Sequence, residues 1–165
     1  MSKLTVIELK EYEIIEDAKG EFIHRITNTE RHPLFFNNRS LMVGKQYGIL
    51  EKGLEQELFG MLAVLDADAI KSVTNGGEVE SGQVMALTEM ISVDHMKDVI
   101  WLAYTGAKTG ECYDLEEFKE KYNEDFQTIM GVYMDILTSN FKDKNKPNAY
   151  KAGLAKSLGK PDGKK

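Results

Sequence analysis

At 165 residues, 42% of them apolar and 29% charged, the chain has enough side-chain surface for one core and little room for a second. No apolar run approaches the roughly 18 residues that span a bilayer. Glu8 interrupts the N-terminus before a secretory apolar region forms, and the single cysteine, Cys112, excludes an internal disulfide framework and any multi-cysteine zinc site. A reducing, cytoplasmic setting is the simplest expectation. The net charge of −6 conceals two opposed parts: Lys142 to Lys165 holds eight lysines against two aspartates, so that segment carries +6 and residues 1–141 carry −12. This division predicts one helix-dominated domain over residues 1–141 and a flexible, lysine-rich C-terminal tail over 142–165. Such a tail has its own partner, folds back on the body, or is merely solvated.

Along the chain, Leu4 to Ile15 is rich in β-branched and aromatic residues and reads as a strand. Glu16 to Gly20 is a turn and Phe22 to Thr27 the returning strand, which together make a β-hairpin. Asn28 to Pro33 is polar and reads as irregular, with Pro33 barring a helix. From Asn38 onward Leu41, Met42, Lys45, Tyr47 and Ile49 suggest a helix weakened by Gly44 and Gly48. Leu54, Leu58, Met61, Leu62 and Leu65 recur at helical spacing. Asp66 or Asp68 is placed to cap a short turn through Ile70 and Val73, and Thr74 to Glu78 is a breaker. Gly76 to Gly82 and Gln83 to Ile91 are assigned no element.

The second half is better signalled. Ser92 is placed to cap a helix with Met96, Val99, Ile100, Ala103 and Tyr104 on one stripe, and Gly106 to stop it. Asp114 and Glu117 have capping-box spacing ahead of Leu115, Phe118 and Tyr122. Asn123 is placed to cap a last helix through Phe126, Ile129, Met130, Tyr133, Ile136, Leu137 and Phe141. Ala149 to Leu158 has the makings of a short amphipathic turn. The expected fold class is mainly α (α+β): an N-terminal β-hairpin followed by five or six short helices and the basic tail.

Residues able to carry chemistry are scattered. His24 falls on a strand, His32 in a loop and His95 in the first turn of a helix, and none lies at i+3 or i+4 from another histidine or from Cys112. Cys112 is flanked by Glu111 and Asp114, and negative neighbours oppose the thiolate that a nucleophile needs. Gly106-Ala107-Lys108-Thr109-Gly110 lacks the order of a phosphate loop. The acids from Glu111 to Asp125 lack a calcium-loop ladder, and Glu117 and Glu120 beside Lys119 and Lys121 read as a solvated helix face with local ion pairs. The tail has no arginine and one aromatic, Tyr150, while the acidic body repels phosphates, so specific nucleic-acid recognition is not expected. No catalytic, cofactor-binding or metal residue is therefore assigned, and no membrane partner. An enzyme would need a site assembled by tertiary contact, such as a deep pocket holding His95 or Cys112 beside carboxylates.

Leu34-Phe35-Phe36-Asn37-Asn38-Arg39-Ser40-Leu41 after a hairpin, then Val99 to Thr105, the acidic Leu115-Glu116-Glu117-Phe118 and a closing helix ending near Thr138-Ser139-Asn140-Phe141, form an ordered series. Over residues 5–145 that series resembles the phage tail assembly chaperones of Gram-positive hosts, in siphophages and prophages. The resemblance implies a non-enzymatic morphogenesis factor of the bacterial host cytoplasm, without cofactor. Its partner would be the long helical tape-measure protein, kept soluble until tail-tube subunits polymerise, and self-association is also expected. The eight methionines would supply adaptable contacts or fill the core. The resemblance further implies a longer form made by frameshifting over the codons of Gly159-Lys160 or Gly163-Lys164-Lys165. The alternative of a different class is a structural connector or scaffold that stays in a phage particle or other complex.

Overall fold

Alternation of apolar and polar residues with a tight turn produces a two-stranded antiparallel sheet, β1 (Val6–Glu16) and β2 (Phe22–Pro33). A computed structural model describes residues 4–51, 53–65, 68 and 81–139. The Asp17 carboxylate accepts the Lys19 and Glu21 backbone N–H groups at 2.8 and 2.9 Å, and Gly20 takes φ +81°, a left-handed conformation open to glycine at no steric cost. Glu11 pairs with Asn28 but Tyr12 with Ile26, so Thr27 is the extra residue of a β-bulge; its hydroxyl donates to the Glu11 carbonyl at 3.3 Å.

β2 runs to Pro33, so the segment expected to be irregular, Asn28 to Pro33, is strand. Its pairing with Val6 to Glu11 supplies the ladder that its polar sequence does not advertise, and Pro33 sits at the strand end, where a missing N–H is tolerated. Ile7, Leu9 and His32 are buried against the helices, whereas the sheet beyond the bulge stands clear as an arm.

Six helices follow the hairpin among the described residues. The first, α1 (Asn38–Gln46), starts on a capping box between Asn37 and Ser40. Helix α2 (Leu54–Val64) buries Leu54, Leu58 and Met61, the stripe expected from spacing. Helix α3 (Ser81–Met90) occupies a stretch to which the sequence reading assigns no element. Met85, Ala86, Leu87 and Met90 are distributed around it rather than along one stripe, and Leu87 is buried while Met85 is exposed. The expected turn through Ile70 and Val73, the breaker at Thr74 to Glu78, the amphipathic turn at Ala149 to Leu158 and the tail lie outside the described residues.

Helix α4 (Val93–Ala107) is the centre of the molecule, with Met96 and every residue from Val99 to Thr105 buried. Ser92 caps it as expected, accepting the His95 N–H at 3.0 Å. Gly106 lies inside the last turn rather than ending it, and serves another purpose. A Cβ there would stand 2.2 Å from the Phe35 carbonyl oxygen and 2.4 Å from Ser40 Oγ, so the absence of a side chain lets the α1 capping loop close on α4. Three hydrogen bonds fasten that contact: Asn37 Nδ2 donates to Gly106 O at 2.9 Å, Ser40 Oγ to Leu102 O at 2.7 Å, and Phe35 N to Ala103 O at 3.0 Å.

Asp114 caps α5 (Leu115–Lys121) through the Glu117 N–H at 2.8 Å. The last helix, α6 (Phe126–Ser139), is capped two residues later than expected. Asp125, not Asn123, accepts the Thr128 N–H at 2.7 Å, and Asn123 instead donates to the Glu120 carbonyl behind it at 2.6 Å. Ile129, Met130, Tyr133, Met134, Ile136 and Leu137 then join the α4 core. No helix among the described residues is long and apolar enough to cross a membrane.

Candidate functional site

An open cleft of about 690 Å³ lies at the N-terminal end of α4. Its walls come from the segment joining α1 to α2, from α2 itself, and from the end of α3 with the start of α4. Leu50 and Ile91 are buried at its base, and Met90 lies across Gly60, where a Cβ would meet the Met90 methyl at 3.1 Å. Phe59 on α2 and Met85 on α3 are also exposed large apolar residues of these two helices. Of the eight methionines, Met61, Met96, Met130 and Met134 fill the core, while Met42, Met85 and Met90 present themselves to solvent.

One polar group of this cleft is built from three helices. The His95 ring nitrogen Nε2 meets Glu57 Oε1, and the Tyr133 hydroxyl donates to Glu57 Oε2 at 3.0 Å. The hydrogen bond to Glu57 raises the His95 pKa above its ordinary value of 6.5, against burial pulling it down; Asp98 and Asp94 add to the rise. Burial pushes the Tyr133 phenol far up, and the Glu57 charge adds to it, so it remains a donor.

The other histidines lie elsewhere. His24 is on the arm, edge-on to Tyr12 at 5.4 Å. His32 is on β2 rather than in a loop, buried and edge-on to Tyr104 at 5.3 Å. Burial lowers its pKa, Lys108 lowers it further, and Glu30, whose Oε2 is 3.6 Å from Nε2, opposes both. Cys112 follows the opposite end of α4, half-buried, with Sγ 3.7 Å from the Gly110 carbonyl. The structure therefore brings none of His24, His32 and Cys112 to His95. No group of three or more His, Cys, Asp or Glu positioned to hold a metal occurs among the described residues.

The acidic stretch after Glu111 is used structurally, and its lysines are not locally paired as expected. Lys119 reaches Asp94 and Asp98 on α4 at 2.8 and 2.6 Å, and Lys121 bonds Glu11 on β1. Glu124 faces Lys10 at 3.6 Å, while Asp114 and Asp125 cap helices. Sequence reasoning singled out His95 but missed Glu57. A signal existed: Glu57 is three residues after Leu54 and four before Met61, so an acid sits on the buried stripe of α2.

The second exposed apolar surface is the arm. Beyond the bulge Tyr12, Ile14, Phe22, His24 and Ile26 share one face, and Ile14 and Phe22 are each 75% exposed. Comparison of the chain with protein-family models, with curated proteins and with solved structures finds no match.

Proposed function

We propose that this chain is a non-enzymatic assembly factor of the phage tail-chaperone type, which holds a helical tape-measure client until tube subunits displace it. The observation that supports this reading most is the cleft between α2 and α3. Leu50 and Ile91 are buried beneath it, the exposed Met90 lines it, and it opens to solvent. An open cleft with apolar side chains in its lining suits one face of a helix, and a methionine such as Met90 adapts to several packings. Shallow contacts also suit a client that must later be surrendered.

Co-expression with a long helical tape-measure protein tests it. The chain should raise the client's soluble yield and be absent from finished particles; retention in particles would instead identify a structural connector. Replacing Phe59 by Glu, at a side chain 46% exposed, should abolish the gain in client solubility while leaving the variant folded. Unchanged client yield with F59E removes the α2 margin from the binding surface.

A second reading, an enzyme, has one observation in its favour: His95 and Glu57 form an acid–base pair inside a cleft. Against it, the Ser92 hydroxyl is committed to the α4 cap and Cys112 lies at the other end of that helix, so neither stands as a nucleophile beside the pair. Turnover of an ester or thioester panel by the wild type, lost in His95→Gln, would displace the binding reading.

A further inference from the structure

The charged side chains in the described lining of the cleft are mostly acidic. Its described lining holds three carboxylates, Glu51, Glu57 and Glu89, and one basic side chain, His95, which Glu57 engages; Lys52, between Glu51 and Gly53 in the sequence, lies outside the described residues. Glu51 and Glu89 are exposed and belong to different walls, Glu51 to the segment joining α1 and α2, Glu89 to the last turn of α3. That last turn carries no basic residue, so its terminal carbonyls add partial negative charge at the same rim. The same lining includes the exposed Met90 and the half-buried Ile49, with Leu50 and Ile91 buried beneath them.

Resting on the client-binding reading above, we propose that the cleft docks a cationic amphipathic helix. Apolar side chains of that helix lie against Met90 and Ile49, and lysines or arginines at the edges of its apolar face reach Glu51 and Glu89. Charge complementarity favours a cationic occupant over an acidic one. The arm of a second copy presents an apolar face but ends in Glu16, Asp17 and Glu21 around one Lys19, so the rim acids repel it. Nucleic acid is repelled for the same reason.

Two dye-labelled 20-residue peptides with the same Leu/Met stripe, one with lysines and one with glutamines on the polar face, provide the test with the full chain. Fluorescence anisotropy should show the lysine peptide binding about tenfold more tightly in low salt, with the advantage shrinking as salt screens the rim pairs. Glu51→Lys with Glu89→Lys should abolish the advantage, and Met90→Asp should weaken both peptides. Glu89→Gln alone, which preserves size, should remove part of the advantage and serves if the double reversal does not fold. A lysine peptide that keeps its full advantage in the rim variants is held elsewhere on the acidic body and overturns the proposal, as does equal or absent binding of the two peptides. Client solubilisation is scored separately. Peptide selectivity without it would sink the chaperone reading alone, and solubilisation without selectivity would sink this inference alone.

Discussion

His95 acquires its carboxylate partner only on folding, because Glu57 lies 38 residues away in the sequence. Its folded-state pKa therefore exceeds the unfolded value of 6.5. The stabilisation it contributes is full below that value and is lost as pH rises through the raised folded one. Urea unfolding should accordingly show His95→Gln destabilised more, relative to wild type, at pH 5.5 than at pH 9; an equal deficit at both would mean the pair carries no proton linkage. In an NMR titration, Glu57→Gln should bring the His95 midpoint down, since the largest upward influence is removed while burial remains. Gly106 makes a different demand, for space. With a carbonyl oxygen 2.2 Å from any added Cβ, Gly106→Ala must part α1 from α4. The expected cost is about 3 kcal/mol, read as a lower denaturant midpoint at unchanged slope. A loss below about 1 kcal/mol would show that the capping loop yields freely.

At the scale of elements, the arm divides at its bulge into a half that belongs to the core and a half that does not. Leu9 is 1% exposed, and Leu9→Ala should cost about 2–5 kcal/mol. Ile14→Thr together with Phe22→Thr removes two side chains that are each 75% exposed, and should change stability by no more than about 0.5 kcal/mol. A large loss in that pair would show the arm packed against something in solution. The same division explains what was legible beforehand. Turns and caps are local, so the hairpin turn, Ser92 and Asp114 were readable from a few neighbouring residues. The polar half of β2 was not, because its partner is Val6 to Glu11, more than 15 residues away. Helix α3 escaped notice because it buries Leu87 without displaying a stripe, and the cap of α6 was misplaced because Asn123 and Asp125 both carry acceptors suited to the role. The cleft was illegible as a site since its lining comes from separate parts of the chain, although Glu57 on a buried stripe was a sign that an acid had a partner there.

At the scale of the whole molecule, α4 joins surfaces that do not touch one another. Its C-terminal end receives the base of β2 and the α1 capping loop through Ala103, Leu102 and Gly106; its N-terminal end forms one wall of the cleft and binds α2 through His95 and Glu57. Asp94 and Asp98 hold α5 through Lys119, and α6 packs along its length. Elements packed on one buried helix lose their packing together when that helix is undermined. Leu102 is 0% exposed and touches α1 where Gly44 leaves room for it. Leu102→Ala should therefore cost about 2–5 kcal/mol. It should also lower the unfolding midpoints of Trp101 fluorescence, which reports α4, and of far-UV circular dichroism, which reports all the helices, by the same amount. A fluorescence midpoint that falls while the dichroism midpoint stays would mean that the helices beyond α4 hold together without it. The cleft would then be a surface of α2 and α3 alone rather than one end of a single cooperative core.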